Sequence, residues 1–183
     1  LGSQVLQANT LKLPAAAIWL DSTQIYWPQS ETQLKIGQSN AWRLLASRSG
    51  ALQIQVGQQP AGQDQSWTLL GQRETRQMPA LSNADLRALH TSQLVLVQQD
   101  SDGRAQQATR VQAAKALDAL FAPASLNAQL GANITAQAKA TGKNTSNTHF
   151  AVWAPTAHNI SVCLFSNAKA TASAQLPLKR DDL

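Results

Sequence analysis

The sequence predicts a mainly β chain with two short helices: an antiparallel β-sandwich domain followed by the first strands of a second, incomplete β-sandwich. Three observations predict it. Short apolar segments recur between Ala15 and Leu70 at intervals of about ten residues, the spacing of antiparallel sandwiches. From Leu81 to Phe121 helical and extended signals alternate. From His149 strict apolar alternation resumes, with little chain left to complete a layer.

The elements follow in order. "AAIWLDSTQIYWP" (Ala16 to Pro28) reads as two short strands around a polar turn. Ile18 and Leu20 share one face by the period-2 rule and Trp19 takes the other. Asp21, Ser22 and Thr23 suit the turn because their side chains bond nearby backbone groups. Ile25 and Trp27 share a face, and Pro28 stops the ladder because it has no N–H to donate. "LKI" (Leu34 to Ile36), "WRLLAS" (Trp42 to Ser47), "LQIQVG" (Leu52 to Gly57) and "WTLL" (Trp67 to Leu70) are further strand candidates.

"LSNADLRAL" (Leu81 to Leu89) carries a helix start. Ser82 is the expected N-cap, with Asp85 three residues on as an acidic capping box, and Leu81 and Leu86 fit the apolar staple across it. "LVLVQQDSDGRAQQATRVQ" reads as a strand, a tight turn at Asp100 to Gly103 and a second extended segment. "AAKALDALF" places Ala113, Ala116, Leu117, Leu120 and Phe121 on one helical stripe, with Pro123 expected just past the end. Residues from about Ser125 to Asn147 are low in complexity, and "AQAKATGKNTSNT" (Ala136 to Thr148) reads as an exposed loop. Phe150 and Val152 then point one way, Ala151 and Trp153 the other, up to Pro155. Ile160, Val162 and Leu164 alternate with Ser161, Cys163 and Phe165. "SNAKATAS" is turn-like, and "AQLPLKR" begins a third strand. Two or three strands do not bury a sandwich core, so this last piece is expected to need strands from elsewhere.

Composition narrows the function classes. The net charge is +5, but the Lys and Arg residues are scattered and form no dense basic run, which argues against nucleic acid. No apolar run is long enough to span a bilayer. Cys163 is the single cysteine, so an internal disulfide and a multi-cysteine zinc site are excluded.

No catalytic set is expected in this chain. His90, His149 and His158 lack the spacing of a metal pair and read as surface or turn residues. Cys163 reads as a small buried thiol of an apolar strand, not a nucleophile paired with His149 or His158. "DSDG" resembles the opening of a calcium loop, but no Glu follows near the twelfth position, so a hairpin turn is expected and no metal site is assigned. Asn133, Asn144 and Asn159 begin glycosylation triplets that are common by chance in such a composition. Asp181 and Asp182 are paired only in sequence. Trp19, Trp27, Trp42, Trp67 and Trp153 are each weighed as core before sugar platform, because Trp buries a large area. No substrate-binding residue is assigned.

"FAVWAPTAHNISVCLFS" (Phe150 to Ser166) resembles the start of the β-sandwich module that precedes the catalytic barrel in pullulanases, isoamylases, branching enzymes and plant limit dextrinases. "LGANI" at Leu130 resembles the pullulanase lead-in to that module. "AAIWLDSTQIYWP" and "DSDGRAQQATRVQAAKALDALF" resemble the opening, and the strand, turn and helix, of the preceding pullulanase domain. The ordered set covers the chain from about Ala15 to its end and is most similar to the Gram-negative kind of type I pullulanase.

The resemblance implies a leader at 1–14, a pullulanase-type β-rich domain at 15–124, a linker and lead-in at 125–147, and the first strands of an isoamylase-type, immunoglobulin-like sandwich at 148–183. It implies a starch-debranching glycoside hydrolase acting on α-1,6 bonds of pullulan, amylopectin and limit dextrins with retention. The Asp nucleophile and Glu acid/base would lie in a barrel outside this chain. Calcium is implied for the full enzyme and no cofactor for this part. The implied partners are the rest of the same enzyme and an α-glucan, and the implied location is secreted, cell-surface or periplasmic. A chain end inside the sandwich is expected to reflect a nick, with the remainder held as a second polypeptide, or a shortened chain. The alternative reading is a stand-alone α-glucan-binding β-sandwich module.

Overall fold

The computed structural model describes residues 13–28, 41–71, 74–137 and 145–181. Two compact units divide between Leu120 and Phe121.

The first unit is a seven-stranded sheet. In chain order its strands are β1 (Ala17–Trp19), β2 (Gln24–Tyr26), β3 (Ala41–Ser47), β4 (Gln65–Leu69), β5 (Thr75–Gln77), β6 (Gln93–Gln99) and β7 (Ala105–Gln112). They lie side by side as β4-β3-β6-β7-β1-β2-β5. Every neighbouring pair is antiparallel except β1 and β7, which run parallel with Ala17 opposite Val111. A parallel pair needs a long crossover. Here the chain between β1 and β7 builds most of the unit.

Both faces of the central strands are buried, because β3 and β6 are apolar at successive positions. Trp42, Leu44, Ala46, Leu94 and Leu96 point into one core, with Trp19, Ile25, Trp27, Leu69 and Met78. Leu45, Val95 and Val97 point into the other, with Leu52 and Ala105. Leu44, Val95, Leu96 and Val97 are wholly sealed from solvent. Helix α1 (Asn83–His90) covers the first core with Leu86 and Leu89. Its start is the expected one: the Ser82 hydroxyl accepts from the Asp85 N–H at 3.2 Å and donates to the Asp85 carboxylate at 2.6 Å. Leu81 packs on the same core as Leu86.

The β6–β7 turn is the expected hairpin. Gly103 supplies the positive φ of 75°, which a side chain would strain. Asp100 Oδ1 accepts the N–H groups of Asp102 and Arg104 at 3.0 and 2.9 Å. Farther along β7, the Thr109 hydroxyl is fully buried. It accepts from the Ala16 N–H and donates to the Pro14 carbonyl, each at 2.9 Å. This seats the chain leading into β1.

Several sequence expectations are corrected. "LQIQVG" is not a strand; it forms a loop with one bridge, Gln53 to Ala61, because Gly57 adopts a φ of 81° and breaks the extended run. β5 was not foreseen, being too short and polar for a periodic signal. Helix α2 (Ala114–Ser125) continues through Pro123, placed just past the end by the sequence, and so is longer than expected. "LKI" lies outside the described residues, as does nearly all of the 1–14 leader.

The second unit holds two hairpins. β8 (Gly131–Gln137) pairs with β9 (Thr145–Ala151), and β10 (Ser161–Phe165) with β11 (Ala172–Pro177). Among the described residues they form two separate two-stranded sheets. β8 falls in the stretch read as lead-in and β9 begins inside the expected loop, because backbone pairing across Gly131↔Ala151 to Gln137↔Thr145 needs no apolar side chains. Residues 138–144 of that loop lie outside the described residues.

Candidate functional site

The second unit carries the surface that most needs a partner. Its pleat places Ala132, Ile134, Phe150 and Val152 on one side of β8–β9 and its extension. Ile134 is 75% exposed and Val152 54%. In the other hairpin Val162 lies opposite Leu176 and Leu164 opposite Ala174. Leu164, Leu176 and Phe165 are all exposed. Apolar strand faces this open mark an interaction surface.

The Trp-Ala-Pro-Thr-Ala turn follows β9. The Ala157 N–H reaches the Ala154 carbonyl at 3.1 Å and closes it. Arg180 then clamps it from far along the chain, donating through Nη2 to the carbonyls of Pro155 and Ala157 at 3.1 and 2.8 Å. Trp153 meets the edge of Phe121 at 5.5 Å between ring centres, yet stays 43% exposed. The clamp was not read in the sequence, because nothing local links positions so far apart.

The other candidate residues do not converge. His149 and His158 are exposed. Cys163 is exposed too, which corrects its reading as a buried thiol: among the described residues β10 has only β11 beside it, and alternation alone cannot bury a side chain without a second layer. His90 is likewise corrected. It is buried at the end of α1, with its ring 4.6 Å from that of Trp19. Burial pushes its pKa down to about 4. Its Nδ1 and the Trp19 indole N–H find no hydrogen-bond partner among the described residues. The signal was present: Leu86, Leu89 and His90 follow the i, i+3, i+4 stripe of a buried helix face.

Four tryptophans are core residues. Trp19, Trp27 and Trp42 are buried, and Trp67 packs against the same cluster. Trp27 meets Trp42 edge-on at 5.4 Å, and the Arg76 guanidinium lies 4.1 Å from the Trp42 ring centre.

The Asp100 turn does not fit calcium. Oδ1 already takes two backbone N–H groups, and Oδ2 takes the Gln106 amide at 2.9 Å. Asp102 pairs with Arg104 at 3.0 Å. Among the described residues no group of three or more His, Cys, Asp or Glu side chains gathers to hold a metal, and no helix is long and apolar enough to cross a membrane. Asp21 accepts from the Thr23 hydroxyl and N–H, which hold its carboxyl below the usual range. Asn133 donates to the Gln129 carbonyl at 3.0 Å, and Asn159 is exposed. Asn144 and Asp182 lie outside the described residues.

With the fold in hand, residues 14–119 match the pullulanase N2 domain, more than half of the chain. The chain belongs to the pullulanase N2 family. Residues 129–182 match carbohydrate-binding module 48, the isoamylase N-terminal domain. The two follow in the order of a pullulanase amino-terminal region. The fold is similar to that of PulA from Klebsiella pneumoniae in its maltotriose complex (TM-score 0.69, 25% identity, 92% of this chain and 18% of that one). It is also similar to apo pullulanase from the same organism (0.68, 25%, 92% and 18%). PulA from Klebsiella oxytoca is comparable (0.67, 25%, 92% and 16%). The chain thus spans less than a fifth of the pullulanases that it matches. No curated protein matches the sequence.

Proposed function

We propose that this chain is the non-catalytic amino-terminal part of a starch-debranching pullulanase. Such an enzyme hydrolyses α-1,6-glucosidic bonds in pullulan, amylopectin and limit dextrins. The observation that carries the reading is the ordered N2 and module-48 match across residues 14–182. Retaining chemistry by an Asp nucleophile and a Glu acid/base belongs, in this reading, to a barrel in the longer polypeptide. The role of the present residues is to hold that polypeptide and present α-glucan to it. The apolar hairpin faces of the second unit are where its remaining strands would lie, since two isolated hairpins are marginal in water. Calcium is proposed for the longer enzyme alone, as the Asp100 turn does not fit it. Secretion or surface display completes the proposal.

Intact mass of the native material, with an assay of pullulan hydrolysis on the same fraction, tests this. The expected result is a polypeptide much larger than 19.6 kDa, or a co-purifying second chain of barrel size, that cleaves pullulan. A native chain of 19.6 kDa that is soluble, monomeric and binds maltooligosaccharide alone would establish the stand-alone module instead.

A further inference from the structure

The first unit has a feature that neither the sheet nor the expected docking role uses. The loop from Gly50 to Ala61 encloses an open cleft of about 340 Å³. Ile54, half-buried, gives it an aliphatic contact, Leu52 lines it with its side chain sealed in the core beneath, and Gln53, Gln55, Gln58 and Gln59 surround it. All four glutamines are exposed, and among the described residues no charged side chain lines the cleft. The volume lies at the lower end of small-ligand clefts, about 300–1,000 Å³.

The loop backbone is fixed before any ligand arrives. Gln53 and Ala61 exchange two backbone hydrogen bonds, at 2.8 and 3.0 Å. The loop tip is tied to β7: the Gly57 N–H reaches the Ala105 carbonyl, and the Ala105 N–H reaches the Gln58 carbonyl, each at 2.8 Å. The Gln93 side chain accepts from the Leu52 N–H at 3.2 Å, and Gln59 donates to the Asp102 carbonyl at 2.8 Å. Gly62 closes the base so tightly that a Cβ there would lie 2.0 Å from the Ala51 carbonyl oxygen. A rigid loop loses little conformational freedom on binding.

From this chemistry we infer that the cleft is an accessory binding site for a short stretch of α-glucan. A carboxamide offers a donor and an acceptor together. Sugar hydroxyls are donors and acceptors as well, so a row of uncharged amides suits a neutral polyhydroxylated chain. The exposed part of Ile54 offers an aliphatic contact to the C–H face of a ring. Among the described residues the lining holds no aromatic ring to stack on, so the site is expected to bind weakly and to add avidity to a larger enzyme. The choice of α-glucan among neutral saccharides rests on the proposed function.

The test is a titration of the isotope-labelled full chain with maltohexaose, followed by NMR of the side-chain amides, with cellohexaose as the matched control. The expected result is saturable shifts of the Gln53, Gln55 and Gln58 amides with maltohexaose alone. The double variant Gln53→Ala, Gln55→Ala should weaken binding about tenfold, as loss of two neutral hydrogen bonds predicts, with the remaining spectrum unchanged. Equal shifts with both sugars would overturn the α-glucan assignment. Shifts confined to other residues, such as the Trp153 indole, or none at all, would overturn the site. The debranching reading is judged separately, by native mass and pullulan hydrolysis.

Discussion

Leu44 on β3 and Leu164 on β10 occupy the same local setting, an apolar position in a short alternating strand. The first is sealed from solvent and the second is 39% exposed. Strand propensity and pattern do not separate them. What separates them is the number of layers. β3 has strands on both sides and apolar clusters on both faces, whereas β10 has one neighbour among the described residues. Burial is a property of the assembled sheet, and the two units differ in how much of that assembly the described residues supply.

The sharpest way to break this comparison is to cut the same kind of side chain in each unit. Leu96→Ala in the first core should cost about 3–4 kcal/mol, since removing a fully buried side chain leaves a cavity. Leu176→Ala in the second unit should change the unfolding free energy of the chain by less than about 0.5 kcal/mol. Equal losses, read from urea unfolding, would mean that both units carry a closed core.

Next in size is the pH response of the first unit. His90 takes its proton near 6.5 when unfolded but only at about 4 when folded. Burial of the neutral ring therefore stabilises fully above 6.5, and that stability is lost as pH falls through the interval down to about 4. The loss is about 3 kcal/mol at most, and His90→Leu should flatten it. A wild-type unfolding free energy that stays constant over that interval would contradict the buried placement.

Smaller again is Ser82→Ala, expected to cost about 1 kcal/mol through the lost N-cap of α1. Thermal unfolding measures it, and a neutral result would show that the cap is redundant. The smallest effect on the chain alone is expected from Trp153→Ala, whose ring is already half in water. In the longer enzyme it should weaken docking while turnover per folded molecule is kept. Complete loss of turnover with fold and assembly intact would give Trp153 a role in the chemistry.

Much of this arrangement was legible in the residues. The Ser82–Asp85 cap, the Asp100–Gly103 hairpin and the core role of Trp19, Trp27, Trp42 and Trp67 follow from local chemistry or from size. What was not legible depends on distant partners. The parallel pairing of β1 with β7 joins segments that no local pattern connects. β8 is held by backbone bonds that polar residues satisfy as well as apolar ones. His90 was misread because its type, usually a surface residue, was weighed above its place on the Leu86 and Leu89 stripe. The cleft beside the glutamines joins Gly50 and Ala51 to Ala61 through a close approach of Gly62 to Ala51 that no periodic pattern announces.

The most direct test of the central claim, that the second unit is an open layer built to be covered, is amide hydrogen exchange of β8 to β11 in this chain and in the longer enzyme. The account predicts fast exchange in the chain alone, strong protection in the longer enzyme, and unchanged protection of β3 and β6 in both. Slow exchange throughout β8 to β11 in the chain alone would contradict it.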